Sequence, residues 1–357
     1  MKATVGISGI GCVGPWGTDL ASLRKPCMPD SAGVRIASTV SPVDGISKND
    51  MRRMSNLTRF TLFAGSRAFA QSGCSAKTTG LFMGLTHGPT KHMVEFHDFL
   101  FDYGPDKASP NSFSNGVTNA PLSALSAALK LTCGGTTILG WENNGLDVLS
   151  YCAQAVADGT YAACLVGSSE EYSSVVYDAY RACKALGTTA PSHLPMPSQN
   201  GNFGFGISEG SAFAMLEPLS NVSNKKPICL FTPLDLNEYT GNADVVISCA
   251  AAGRCDAREL DALRCIASRN NGKPALVFTK PLFGESFGLG STLSVLAACD
   301  MVSNQAQYPA FPIHPEIADA FFPYANGPIA TVLVMAAGRN GRLSAGLICK
   351  AEDFGAA

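Results

Sequence analysis

Runs of apolar and small residues recur along the chain, and each has the length of a strand buried on both faces. Gly, Pro, Ser and Asn are concentrated between the runs, where they favour turns. The runs that predict strands are residues 4–11, 80–86, 136–141, 162–167, 211–217, 243–248, 274–279, 329–336 and 342–349.

Between these runs, apolar residues recur at the spacing of one helical face. The segments with this spacing predict helices over residues 51–71, 119–131, 146–156, 257–268 and 288–302. Asp256 stands where it would cap the fourth of these helices. Strands that alternate with helices indicate an α/β fold, with a largely parallel sheet covered on both faces.

A polar segment with Pro at both ends, residues 218–227, divides the chain. The strand–helix rhythm is similar on the two sides of it. We therefore expect two pseudo-duplicated α/β halves, residues 1–220 and 221–357, that form one integrated unit.

Composition excludes several function classes. Of the 357 residues, 46% are hydrophobic and 15% are charged, and the formal net charge is −2. Such a chain lacks the excess of basic residues that nucleic-acid binding requires. No apolar stretch approaches the ~18 residues of a membrane span. The 13 cysteines include no CxxC pair, and no secretory signal is visible, so we expect a reduced, cytoplasmic protein.

The histidines do not suggest a metal centre. His87, His92 and His97 are spaced by five residues, which fits neither one helical face nor a usual metal site. We interpret them as loop and surface residues, and we expect neither a metal nor another cofactor.

One turn holds an unexpected residue. Glu142 follows the strand at 136–141, and the sharp turn Asn143-Asn144-Gly145 leads into the next helix. A side chain at such a turn lies over a helix N-terminus, which stabilises negative charge. Enzymes use this position to activate Ser or Cys, so a carboxylate here needs an explanation.

Six short motifs follow one another along the chain: Gly9–Gly17, Met51–Ser55, Ser109–Phe113, Gly167–Glu170, Ser208–Gly210 and Lys280–Glu285. Taken in this order, they resemble the motifs of the ketosynthases, the condensing enzymes of fatty acid and polyketide synthesis. The resemblance covers nearly the whole chain. It implies a thiolase-like fold with the two α/β halves in a layered αβαβα arrangement.

The departures from the family concern its catalytic Cys-His-His set. Glu142 falls where the resemblance places the cysteine, and Glu285 falls where it places the histidine after Lys280. The stretch that should hold the other histidine, residues 249–255, contains none. The Gly-Phe-Gly gate of the family corresponds by this comparison to residues 323–328.

A carboxylate cannot do the work of the missing thiolate. It is a poor nucleophile, and it would repel the carboxylate of a malonyl unit, so we expect no condensation. Family geometry would bring Glu142 and Glu285 into one pocket, where two buried carboxylates cannot both ionise cheaply. We expect Lys280, with Arg254, to neutralise one of them and hydrogen bonds to hold the other; an acid–base pair is the alternative interpretation.

The resemblance implies a partner role. Type II polyketide systems pair an active ketosynthase with a homologue without the nucleophile, the chain-length factor, which completes the heterodimer and shapes the acyl tunnel. The partners of ketosynthases in aryl-polyene pathways are a candidate subgroup. An acyl carrier protein would be reached through the complex. Expected tunnel or dimer-interface residues are Phe113, Val117, Asn119, Leu122, Leu125, Thr137, Leu139 and Trp141. For Phe113, Val117, Leu122 and Leu125, ordinary core packing is an equally good explanation.

Two other functions stay open. The first is an enzyme with altered acyl-transfer or hydrolytic chemistry built on Glu142, Glu285 and Lys280. The second is a homodimeric scaffold that binds an acyl group or an acyl carrier protein.

Overall fold

The computed structural model describes residues 3–30, 33–37, 43, 46–186, 191–197, 204–222 and 227–351. Part of the predicted linker, residues 223–226, lies outside this set. The division of the chain at residues 220 and 221 therefore remains a proposal.

Ten strands form the sheet of the described chain, and nine of them match predicted runs. The strand that was not predicted is β6. The strands are β1 (Val5–Val13), β2 (Thr79–Leu85), β3 (Gly135–Leu139), β4 (Ala163–Glu170), β5 (Gly210–Pro218), β6 (Cys229–Leu234), β7 (Val245–Ser248), β8 (Ala275–Phe278), β9 (Thr331–Ala337) and β10 (Leu343–Cys349).

The strand order repeats within the sheet. The full order is β3-β2-β4-β5-β1-β6-β10-β9-β7-β8. Strands β1–β5 and strands β6–β10 follow the same internal order, and antiparallel pairing of β1 with β6 joins the two sets. This topology is what a pseudo-duplicated pair of α/β halves requires.

The sheet is not largely parallel, as the sequence had suggested. Only the three outer strands of each half run parallel to one another. The inner pairings β4–β5, β1–β5, β9–β10, β6–β10 and β1–β6 are antiparallel. Apolar runs mark burial on both faces, and they carry no information about strand direction.

Eleven α-helices cover the sheet in the described chain. They are α1 (Lys48–Arg53), α2 (Asn56–Ser72), α3 (Thr90–Tyr103), α4 (Pro110–Gly116), α5 (Ala120–Leu129), α6 (Asn144–Ala157), α7 (Ser174–Ala182), α8 (Leu219–Val222), α9 (Asp256–Arg269), α10 (Lys280–Phe283) and α11 (Gly288–Asn304).

The helices form three layers around the two halves of the sheet. Helices α6 and α11 contact each other and strands of both halves, and α11 is buried on every side from Gly288 to Val302. Helix α2 packs on the outer side of β1 and β5, and α9 packs against β9. The α/β fold in a layered αβαβα arrangement is thereby confirmed.

Local signals explain two further differences from the predicted elements. The helix predicted over residues 51–71 is two helices, because Ser55 is extended and its side chain accepts a hydrogen bond from the amide of Thr58, which starts α2 there. Asp256 is the first residue of α9 rather than its cap. Its carboxylate instead accepts hydrogen bonds from the amides of Ala251 and Ala252 in the preceding loop.

The two ends of the sheet differ in exposure. Strand β8 is buried, and the segment at Phe322 runs beside it, with hydrogen bonds Leu276 N–Phe322 O and Phe322 N–Pro274 O of 2.9 Å each. Strand β3 was predicted to be buried, but most of its residues are exposed or half-buried. Leu139 is 62% exposed and Trp141, just beyond the strand, is 45% exposed.

Candidate functional site

Five segments line one cavity of about 430 Å³. They are the turn between β3 and α6, the segment after α7, the loop between β7 and α9, the segment after α10, and the hairpin turn between β9 and β10. The lining includes Glu142, Glu285, Asp256, Arg254, Arg258, Arg339, Cys183, Cys249, Cys255, Ala185, Ala251, Ala337, Gly253, Gly338 and Gly341.

Glu285 and Lys280 form a buried ion pair at the floor of this cavity. Nζ of Lys280 lies 2.5 Å from Oε1 of Glu285, and the two side chains are 2% and 0% exposed. Burial has the largest single effect on Lys280 and lowers its pKa, but the charge and hydrogen bond of Glu285, together with Cys249 and Glu142, outweigh burial. The pKa is therefore raised, and the ammonium stays protonated. The same Oε1 accepts a hydrogen bond from the amide of Phe287 at 2.7 Å.

Phe287 bears the local strain. Its φ is +52°, a left-handed conformation that a bulky residue adopts only when its surroundings hold it there. The hydrogen bond from its amide to Glu285 is one such restraint. The carboxylate therefore shapes the turn into α11 as well as neutralising Lys280.

Arg339, which the sequence analysis had not named, is the cation on Glu142. Its Nε lies 2.7 Å from Oε1 of Glu142, and its backbone amide donates to Oε2 at 3.1 Å. The expected cation, Arg254, is exposed and lines the same cavity. Burial first, and then the charge of Glu285, raises the pKa of Glu142, while Arg339 opposes the shift.

Two thiols that line the cavity, those of Cys249 and Cys255, are not activated. Burial raises the pKa of Cys249 to about 12, and its Sγ lies 3.2 Å from Oγ of Ser294. Burial, followed by the charges of Glu142 and Glu259, also raises the pKa of Cys255. Both remain protonated at neutral pH, and a protonated thiol is a weak nucleophile.

All five histidines are among the described residues, and none lines the cavity. His87 is not a surface residue, as had been expected, but is partly buried. Its Nε2 lies 3.1 Å from the hydroxyl of Tyr180, and its ring packs against Phe287 with centroids 4.3 Å apart. Burial first, and then Arg339, lowers the pKa of His87 to about 4, so the imidazole is neutral.

The residues that the resemblance assigned to the family's gate, 323–328, do not line the cavity that holds Glu142. Residues 325–328 line a different cavity, together with Asn242 and Lys273. The turn that reaches Glu142 is the β9–β10 hairpin, with Gly338, Arg339 and Gly341 at the cavity wall.

The predicted tunnel and interface residues fall into three groups. Phe113 and Val117 are exposed, at 57% and 40%, and Asn119 is exposed at the start of α5. Leu122 and Leu125 belong to the hydrophobic core beside α2. The remaining three, Thr137, Leu139 and Trp141, lie on or next to the edge strand β3.

Comparison with known proteins identifies the scaffold. The family described as "Beta-ketoacyl synthase, N-terminal domain" matches residues 29–221, more than half of the chain. The chain belongs to the beta-ketoacyl synthase family. In this chain the turn between β3 and α6 holds Glu142, and no histidine of the described residues lines the cavity.

Curated ketosynthases match over part of their length. The "3-oxoacyl-[acyl-carrier-protein] synthase 2" of Vibrio harveyi is 26% identical over 240 residues, which are 60% of this chain and 58% of that protein. The "Putative polyketide beta-ketoacyl synthase 1" of Streptomyces halstedii is 24% identical over 253 residues, 62% of this chain and 60% of its own. The matches thus span about three fifths of these relatives.

Solved structures share the whole thiolase-like fold. "The ishigamide ketosynthase/chain length factor" has a TM-score of 0.79 at 13% identity and covers 98% of this chain and 100% of its own. A chain of "AntDE:AntF (apo): type II PKS acyl-carrier protein in complex with its ketosynthase bound to the hexaketide" has a TM-score of 0.75 at 15% identity, with the same coverages. At these identities the likeness is one of fold.

Two searches of the described residues gave negative results. No group of three or more His, Cys, Asp or Glu side chains could hold a metal ion. No helix is both long and apolar enough to cross a membrane.

Proposed function

We propose that this chain is a non-condensing, chain-length-factor-like partner of an active ketosynthase in type II polyketide or fatty acid synthesis. The observation that supports the proposal most strongly is the ion pair of Glu142 with Arg339 at the nucleophile turn. A carboxylate held by a guanidinium and a backbone amide cannot accept an acyl group as an exchangeable thioester. The fold retains the scaffold of a condensing enzyme without its chemistry.

The edge of the sheet supports a partner role. Strand β3 offers unpaired backbone groups, and Leu139 and Trp141 lie exposed beside them. Tyr151 on α6 is also 54% exposed. Exposed apolar side chains along an open sheet edge favour pairing with another chain. We propose an active ketosynthase as that chain, with an acyl carrier protein reached through the complex.

Among the expected tunnel residues, Phe113 and Val117 are the better candidates for contact with a growing acyl chain, because both are exposed. Leu125 is a packing residue instead: a methyl group added at Gly65 of α2 would overlap its side chain. Substitution of Leu125 should therefore reduce stability rather than alter the product.

Co-expression with an active ketosynthase from the same genome tests the proposal. We expect a one-to-one complex by native mass spectrometry, and product formation only when both chains are present. Leu139→Arg should dissociate the complex, because it places a charge at an apolar contact. Tyr324→Arg is the matched control, since Tyr324 is 49% exposed and lies far from β3 in the chain. A chain that forms a stable homodimer and never copurifies with a ketosynthase would contradict the proposal.

The raised pKa of Glu142 favours one alternative, an acyl-transfer or hydrolytic enzyme that uses Glu142 and Glu285 as an acid–base pair. Such an enzyme would hydrolyse an acyl thioester without a partner. Loss of that activity in Glu142→Gln, with the fold preserved, would favour this alternative over the partner role.

A further inference from the structure

Two guanidinium groups at the rim of the cavity have no partner in the described part of the chain. Arg254 lies in the loop before α9, and Arg258 lies one helical turn later on α9 itself. Both line the cavity and both are exposed. By contrast, Arg264 on the same helix pairs with Asp261 and Glu316, away from the cavity.

The floor of the cavity carries an acceptor that lacks a donor. Oε1 of Glu285 accepts hydrogen bonds from Nζ of Lys280 and from the amide of Phe287. The buried Oε2 accepts none from the described residues. Glu285 is 0% exposed, and a buried carboxylate oxygen without a hydrogen bond is costly. A ligand that reaches the floor would therefore gain from offering a hydrogen-bond donor.

The charge balance decides which kind of donor fits. The three arginines that line the cavity match its three carboxylates, and Lys280 adds a further cation at the floor. The cations thus outnumber the carboxylates by one, so the cavity is net positive. A ligand ammonium group is therefore disfavoured in the cavity. An anionic ligand with a neutral hydroxyl group suits both places, because the anion can face the arginines at the rim and the hydroxyl group can donate to Glu285 at the floor.

We propose that the cavity binds a small hydroxycarboxylic acid, with its carboxylate between Arg254 and Arg258 and its hydroxyl group donating to Oε2 of Glu285. A planar guanidinium matches a carboxylate geometrically. The cavity volume of about 430 Å³ lies within the usual range for small-molecule sites. The binding site goes beyond the partner role and does not depend on it.

Calorimetric titration with three pairs of acids tests this site. The pairs are glycolate with acetate, 3-hydroxypropionate with propionate, and 4-hydroxybutyrate with butyrate, since each differs by one hydroxyl group. We expect at least one hydroxy acid to bind more tightly than its partner, and added salt to weaken binding. Equal affinities within all three pairs, or no saturable binding of any acid, would overturn the proposal.

Variants locate the two contacts. Arg254→Gln and Arg258→Gln should each weaken binding about tenfold, because each removes a charge-assisted hydrogen bond. Arg264→Gln is the matched control on the same helix and should bind as the wild type does. Unchanged affinity in the Arg254→Gln/Arg258→Gln double variant would refute the site. Both arginines are exposed, so these variants should fold, and formation of the complex with a ketosynthase should be unaffected.

Discussion

At the residue scale, two of the three buried acids that line the cavity are each held by a cation of their own. Glu285 is paired with Lys280, five positions earlier in the chain, and Glu142 is paired with Arg339, which is 197 positions away. The first pair could be predicted from local spacing within one motif. The second could not, because only the sheet topology brings the β9–β10 hairpin over the turn between β3 and α6.

The Glu142–Arg339 pair should be worth a measurable coupling energy. Removing the guanidinium leaves a largely buried carboxylate unpaired, so Arg339→Ala should destabilise the protein by ~3 kcal/mol at pH 7. In a Glu142→Gln background the same change should cost ~1 kcal/mol, because no charge is stranded. Urea unfolding of the four proteins of this double-mutant cycle measures the difference. Equal costs in both backgrounds would show that the contact contributes no stability.

The buried ion pair at the floor allows a related prediction. Lys280→Met alone should destabilise by ~3–5 kcal/mol, since it leaves Glu285 charged and buried. The Lys280→Met/Glu285→Gln double variant should recover part of that loss. Thermal unfolding of the two variants tests this, and a double variant less stable than the single one would count against the explanation.

At the element scale, α6 and α11, the two helices of the central layer, pack closely against each other. Gly145 in the first turn of α6 faces α11 so closely that an added methyl group would overlap the carbonyl oxygen of Gly288 and the hydroxyl groups of Ser291 and Thr292. A glycine in that turn therefore has a packing role. From the sequence alone, Gly145 had been assigned to the turn before the helix.

This packing reverses the usual effect of a glycine-to-alanine change. Alanine favours a helix by about 1 kcal/mol over glycine, yet Gly145→Ala should destabilise by ~1–3 kcal/mol because the two helices must separate. Gly272→Ala is the matched control, since an added methyl group there meets no neighbour within 4 Å. Chemical unfolding would contradict the prediction if Gly145→Ala were as stable as the wild type.

Some strands and helices could be predicted from the sequence more accurately than others, and the differences have physical causes. Strands β2, β7 and β9 have continuous apolar sequences because both of their faces are buried. Helix α3 was missed because none of its side chains is buried in the single chain. Without a buried face, its sequence does not need the regular apolar spacing from which a helix is predicted. The extent of β4 was underestimated because Ser168, Ser169 and Glu170 look like a turn, although the strand continues through them.

At the scale of the whole molecule, buried carboxylates make stability depend on pH. Burial raises the pKa of Glu170 to about 8 and that of Glu259 to about 8, from a reference of 4.5. At a pH between 4.5 and about 8, both carboxyl groups are protonated in the folded state and ionised in the unfolded state. Stability should therefore fall as pH rises from about 5 to about 8, by up to ~1.4 kcal/mol per pH unit for each group.

Glu170→Gln should flatten this dependence, because the amide does not titrate. Unfolding free energies measured by urea between pH 5 and pH 8 would show a smaller slope in the variant than in the wild type. Glu316→Gln is a suitable control, since Glu316 is exposed and its pKa is lowered by Arg264 rather than raised. Identical slopes in the wild type and in Glu170→Gln would reject Glu170 as a source of the effect.

The repeated strand order has a consequence for how far assembly can proceed. Strands β3 and β8 hold equivalent places at the two ends of the sheet. The chain's own segment at Phe322 already occupies the outer side of β8, whereas no strand of the described residues pairs with the outer side of β3. A molecule with two open ends could add subunits without limit and grow into a fibre. With one end closed from within, growth along the sheet terminates after a single addition.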